Sequence, residues 1–224
     1  MPSRYPGGPA PTPGYDTGMD HVRLRFDGWI AGLGTAGGTR LVVGHWPRSP
    51  LGPVTDVMVE LPDGHRLLLA ETAELADFVA KTYTFDEVRV EPVTVERTAS
   101  AWTVTAGPLT LRFTTGGRGL LGRLLRAVPP TLARRLWWVR LIDRPARLLR
   151  GVRTYGSAGN GRREWYAVQD LHVITTAAAT LDGLDLGPLA DVHPPVRFGF
   201  GSAPRSPALV RITTTVEVTR PQHH

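Results

Sequence analysis

The segment HVRLRFDGWIAG, residues 21–32, sets Val22, Leu24 and Phe26 against Arg23, Arg25 and Asp27, the two-residue period of a strand with one apolar and one polar face. The same period, or a short apolar run, returns in TRLVVGHW, VTDVMVELPDGHRLLLA, FDEVRVEPVTVER and AWTVTAGPLTLRFTT, and again after residue 160 in REWYAVQDLHVITTAAAT, VRFGF and LVRITTTVEV. Gly and Pro punctuate these runs, and Pro62-Asp63-Gly64 joins two of them as a hairpin turn. Roughly nine or ten strands with two or three helices, evenly scattered, predict a mainly β fold: an antiparallel β-barrel or two packed sheets, with α+β as the alternative by content.

Two segments break the pattern. In TAELADFVAKTY, residues 72–83, Leu75, Phe78 and Val79 share one helical face and Glu74, Asp77 and Lys81 the other, with Thr72 as the cap. Between 117 and 150 an arginine-rich helical insert is predicted, its first helix carrying Leu120, Leu121, Leu124, Leu125 and Val128 on one side and ending at Pro129-Pro130. Residues 1–18 hold five prolines and four glycines and predict a disordered leader, followed by one domain over 19–220 and a tail at 221–224.

No run of apolar residues is long enough to span a bilayer and no secretory signal opens the chain, so the expected location is cytoplasmic. The absence of cysteine removes disulfides, thiolate catalysis and thiolate-bound zinc. No phosphate-binding or nucleophile-elbow motif stands in a suitable context, and GLGTAGG, residues 32–38, lies between strands and reads as a hairpin. Histidine pairs with metal-ligand spacing are missing from the ordered region, so neither a metal nor a cofactor is expected.

The net charge of +6 is unevenly spread, because ten arginines and the single acid Asp143 fall between 117 and 153, leaving the rest of the chain net acidic. Three readings compete for that stretch. Leu132, Leu136, Trp137, Val139, Leu141 and Ile142 make the helix over 132–142 apolar nearly all round, which predicts packing against the barrel. The alternative is a peripheral contact with an anionic membrane or a partner protein through Arg123, Arg126, Arg134, Arg135, Trp137 and Trp138. Nucleic acid is a second alternative, disfavoured because no reading module accompanies the arginines.

The stretch VVGHWPRSPLGPVTDVMVELPDG, residues 42–64, resembles the Ser-Pro-x-Gly-Pro segment of acetoacetate decarboxylase-like proteins, in which a strand turns through Ser-Pro into a second strand lining a β-barrel pocket. The resemblance implies a pocketed β-barrel. It also implies decarboxylation through a Schiff-base lysine, for which the chain offers only Lys81, with no second lysine to lower its pKa. Lys81 follows Asp77 by four residues on the polar helix face and reads as a solvated ion pair, so the decarboxylase activity is not carried over.

The remaining polar candidates lie on strands. Alternation over 161–172 places Glu164, Tyr166, Val168, Asp170 and His172 on one face, a carboxylate, a phenol, a second carboxylate and an imidazole that would line a polar cavity if that face turned inward. His45 beside Trp46, and Glu60 before the Pro62 turn, complete the candidate ligand-binding set. The function expected is binding of a small hydrophobic or carboxylate-bearing molecule in a barrel pocket, with catalysis undecided.

Overall fold

The computed structural model describes residues 20–139, 141, 155–157, 162–199 and 203–220; the expected leader, residues 140 and 142–150 of the expected insert, and the tail lie outside them. In chain order the elements are β1 (Asp20–Thr35), β2 (Arg40–Arg48), β3 (Val54–Glu60), β4 (Arg66–Ala70), α1 (Ala73–Ala80), β5 (Glu87–Val90), β6 (Val93–Arg97), β7 (Ala101–Ala106) and β8 (Leu109–Thr115). Then follow α2 (Gly119–Ala127), α3 (Pro130–Ala133), β9 (Tyr155–Ser157), β10 (Arg163–Leu181), β11 (Leu184–Asp185), β12 (Leu189–Ala190) and β13 (Ala208–Arg220). The protein is mainly β. Ten strands form one strongly curled sheet in the order β5-β4-β3-β2-β1-β13-β10-β8-β7-β6, a half-barrel to which β9 and β11 add beside β10 and β12 beside β1.

Neighbouring strands are antiparallel except β4 and β5, which run parallel and are joined by α1. Thr72 caps that helix as expected, its extended backbone turning Oγ1 to accept from the Leu75 amide at 3.2 Å. The segment VRFGF departs from its expectation: residues 196–199 form an irregular stretch, with Val196 and Phe198 buried.

From Trp29 of β1 through β4 the strands carry apolar side chains on both faces. At odd positions Ala31, Leu33, Leu41, Val43, Val57, Val59, Leu67 and Leu69 pack with Trp102, Leu111 and Phe113 into a solid core, drawing β6 back towards β3. At even positions Phe26, Trp46, Val54, Leu68 and Ala70 meet Leu75, Ala76 and Val79 of α1 and Ile212 and Val216 of β13. Each fully buried Leu or Val contributes about 1.5–3 kcal/mol, so an uncovered second face would forfeit a large share of the stability.

Of the helical insert, α2 lies along β10, with Gly122 so close that a Cβ there would stand 2.3 Å from the Leu171 carbonyl. Its leucines divide: Leu121 and Leu125 turn inward, while Leu120 and Leu124 are exposed. Ala133 and Val139 are buried, and Val139 with Leu136 packs on Trp165 and Ala167. The expectation of a helix buried all round does not hold for Trp137 and Leu141, both exposed. The chain breaks at Arg134 into short helical pieces, and one sheet can cover only one side of each.

Bulges let the long strands follow the curl. Register shifts occur between Asp27 and Trp29 in β1 and between Val168 and Asp170 in β10. At the first, a Cβ on Gly28 would lie 2.0 Å from the His45 carbonyl oxygen, a backbone atom that cannot move aside. Gly28→Ala should therefore lose at least about 1–3 kcal/mol in urea unfolding, whereas Gly117→Ala, with nothing within 4 Å of its added methyl, should change little.

Candidate functional site

The even-numbered face does not close completely. A cavity of about 380 Å³ lies between it and the helices. Ile30, Val42 and Met58 come from β1 to β3, and Val168, Val210 and Ile212 from β10 and β13, because these positions share one parity in adjacent strands. Leu75, Phe78 and Val79 of α1 cover part of it, joined by Leu121 and Leu125 of α2, Trp138 and Phe198.

Polar groups enter this apolar wall chiefly through Asp56, Glu164, Tyr83, Tyr166 and Thr214. Asp56 on β3 faces Gly44 on β2, and its Oδ1 accepts from Trp46 Nε1 at 3.1 Å. A Cβ on Gly44 would stand 2.7 Å from both atoms, so glycine is what lets that bond form. Burial pushes the Asp56 carboxyl up to about 7, against the pull of the Trp46 hydrogen bond.

Glu164 projects from β10 opposite Val216, with both carboxylate oxygens 2.8 Å from the Tyr83 hydroxyl. The Tyr83 and Tyr166 hydroxyls are 3.0 Å apart, so two phenols gather at one carboxyl. Burial raises Glu164 to about 7 despite hydrogen bonds from both tyrosines, and the charge of Asp56 adds to the rise. Both phenols are held well above their ordinary value, first by burial and then by the neighbouring carboxylate. Thr214, paired with Tyr166 across β10 and β13, is buried, and its Oγ1 makes no hydrogen bond among the described residues.

The structure divides the residues singled out from sequence. Glu164 and Tyr166 line the cavity; Asp170 and His172 do not. The bulge takes up Gln169 as an extra residue, so Leu171 and Val173 continue the wall in their place. Asp170 is buried elsewhere, 3.0 Å from Arg118 Nε through both oxygens, 3.7 Å from Arg126 and 3.5 Å from His172 Nε2, a cluster that ties α2 to β10.

His45 points to the odd-numbered face, where Nδ1 lies 3.0 Å from Thr55 Oγ1 and the ring meets Trp102 edge-on; burial first, then Arg97, lowers its pKa. Glu60 is also away from the cavity, at 2.9 Å from both Arg40 and Arg197. Burial alone would raise its pKa, but the Arg197 amide and the two guanidiniums hold it below the ordinary value. Sequence reading missed Asp56, Tyr83, Trp46 and Thr214. The available signal for Asp56 was an acid amid apolar neighbours of both parities in VTDVMVE.

Among the insert residues, Arg123 and Arg135 are exposed, Arg126 reaches Asp170, and Arg134 pairs with Asp27 at 3.3 Å. Trp137 is exposed, while Trp138 lines the cavity. Lys81 is exposed, with Nζ 2.6 Å from Asp77 Oδ2, so the Schiff-base chemistry implied by the resemblance finds no lysine at the cavity. Among the described residues no three His, Asp or Glu side chains converge as a metal site, and no helix is long and apolar enough to cross a membrane.

No protein-family model matches the chain, and no curated protein is significantly similar to it. Among solved structures it is similar to an acetoacetate decarboxylase from Legionella pneumophila, with a TM-score of 0.40 and 10% identity, over 92% of this chain and 89% of that one. Likeness at that level carries neither activity nor residue roles.

The raised carboxyls make stability depend on pH. Glu164 ionises near 7 in the folded chain but near its ordinary value when unfolded, so between those values the folded chain holds the extra proton and stability falls as pH rises. Glu164→Gln removes this slope. Relative to the wild type, its stability in denaturant unfolding should rise by on the order of 2–3 kcal/mol between about pH 5 and 8. A difference independent of pH would contradict the assignment.

Proposed function

We propose that the protein binds an apolar small molecule in the cavity on the even-numbered face, with the polar end of the ligand at Asp56 and Glu164. The observation that carries this is a space of about 380 Å³ walled by aliphatic and aromatic side chains, with two carboxyls on its wall whose charges act on each other. Sites of about 300–1,000 Å³ with few, convergent polar groups are typical of small-molecule binding. Of the two ligand classes expected from sequence, the hydrophobic one fits. A carboxylate-bearing one does not, because it would bring a further negative charge beside two buried acids. Glu164, with an ionisation near neutral pH and two phenols on it, is also the group suited to exchanging a proton with a ligand.

The neutral fluorophore N-phenyl-1-naphthylamine reports this directly. It should brighten on binding, and Val168→Trp, which fills the space from β10, should weaken its affinity at least about tenfold without lowering Tm by more than a few degrees. Undiminished affinity in the filled variant would place the probe elsewhere and overturn the reading.

A second reading rests on the outer side of the insert, where Leu120, Leu124, Trp137 and Leu141 are 75%, 58%, 58% and 61% exposed near the exposed Arg123 and Arg135. Single exposed apolar side chains mean little, but several on one arginine-rich segment suit an anionic lipid surface. Sedimentation with phosphatidylglycerol vesicles should carry the protein down, phosphatidylcholine vesicles should not, and Trp137→Ser should weaken the effect. Equal behaviour with both lipids would reject it.

A further inference from the structure

Four acids are buried among the described residues: Asp56, Glu60, Glu164 and Asp170. Glu60 is matched by Arg40 and Arg197, and Asp170 by Arg118 and Arg126. The chain therefore answers a buried carboxylate with two guanidiniums wherever that carboxylate is structural. Asp56 and Glu164 are 2% and 1% exposed, and among the described residues no arginine, lysine or histidine lines the cavity they share. Arg162, which approaches the wall at Thr82, is engaged with the Phe78 carbonyl at 2.9 Å and the Thr82 hydroxyl at 2.6 Å. Among the described residues these two acids therefore lack the guanidinium partners that Glu60 and Asp170 have.

We propose that the polar end of the ligand is a protonated amine, held between the Asp56 and Glu164 carboxylates with Thr214 Oγ1 as a third acceptor. This rests on the reading of the cavity as a ligand site and adds the class of ligand. An ammonium group has three N–H donors and no acceptor, and therefore asks for oxygens alone. Asp56 spends Oδ1 on Trp46, which leaves Oδ2. Glu164 accepts from the phenol side and keeps lone pairs on both oxygens. Thr214, 4% exposed, lines the cavity with a hydroxyl that has no partner among the described residues.

The apolar part of the wall suits a cation too. Phe26 stands 5.9 Å edge-on to Trp46, and both rings line the cavity with the two tyrosines, while the Phe78 ring is already faced by the Arg162 guanidinium at 4.9 Å. Ring faces attract ammonium groups most strongly where water is excluded. An alcohol of the same shape would gain hydrogen bonds but no charge pairing, and a carboxylate would be repelled. Because both acids ionise near neutral pH, bringing in a cation drives them to the charged form and expels protons to solvent.

Competition of n-octylamine, 1-octanol and octanoate against N-phenyl-1-naphthylamine on the full chain at pH 7 tests this, with calorimetry of the amine in two buffers of different ionisation enthalpy. Octylamine should bind at least tenfold more tightly than octanol, octanoate should be weakest, and amine binding should release protons. Glu164→Gln and Asp56→Asn should each bring the amine-to-alcohol ratio to within about threefold. If octanol competes as well as octylamine in the wild type, the amine assignment falls while the apolar site stands. A ratio unchanged in both variants also overturns it, since the charge is then sensed elsewhere. If none of the three displaces the probe, the ligand-site reading falls with it.

Discussion

Because the strands from Trp29 of β1 through β4 carry apolar side chains at odd and even positions alike, neither face of that part of the sheet can be left to water. The odd face solves this by curling on itself, so that Leu33, Val57 and Leu69 are buried with Trp102 and Phe113 in one core. The even face depends on other elements: α1 closes part of it, α2 another part, and the irregular stretch through Val196 and Phe198 a third. Covers assembled from separate pieces need not meet as tightly as a sheet rolled on itself. The cavity is the space these covers leave, bounded by side chains whose burial the fold requires anyway.

The arginines show how this arrangement is held. Arg40 and Arg197 share Glu60 and pin the irregular stretch to the sheet, while Arg118 and Arg126 share Asp170 and pin α2 to β10. Both clusters fasten covering elements, and both lie outside the cavity. The carboxylates and Arg40 are buried while Arg197, Arg118 and Arg126 reach them from the exposed side, so each cluster ties a surface-facing cover to a buried acid. The cavity carboxyls contrast with them, with phenols and an indole for neighbours.

Much of this was legible in the sequence, and the failures have physical causes. Alternation in HVRLRFDGWIAG gave the face of β1, and helical spacing gave the inward side of α1, because side-chain direction follows regular backbone geometry. Glu164 and Tyr166 share a face with the cavity by that same alternation. It stops at Gln169, where a bulge inserts one residue without any sequence mark, and Asp170 and His172 leave the site together. Asp56 was missed for the opposite reason: an acid in a strand reads as a solvated side, and although the apolar neighbours of both parities in VTDVMVE argue against that, its partners Gly44 and Trp46 lie on the neighbouring strand. Tyr83 reaches Glu164 from the loop after α1, across eighty-one positions of sequence that no local pattern connects. The arginine cluster, the most conspicuous feature of the composition, proved to serve anchorage in part, through Arg118, Arg126 and Arg134.

The even-numbered face leaves a ligand-sized space with a mostly apolar wall. Crystals pressurised with xenon test it most directly, since xenon enters apolar cavities and avoids hydrated polar ones. Xenon is expected among Val168, Val210 and Ile212 beneath Phe78, and absent from the end where Asp56 and Glu164 stand. Side chains of α1 and α2 packed down onto β13, with no xenon between them, would contradict the account.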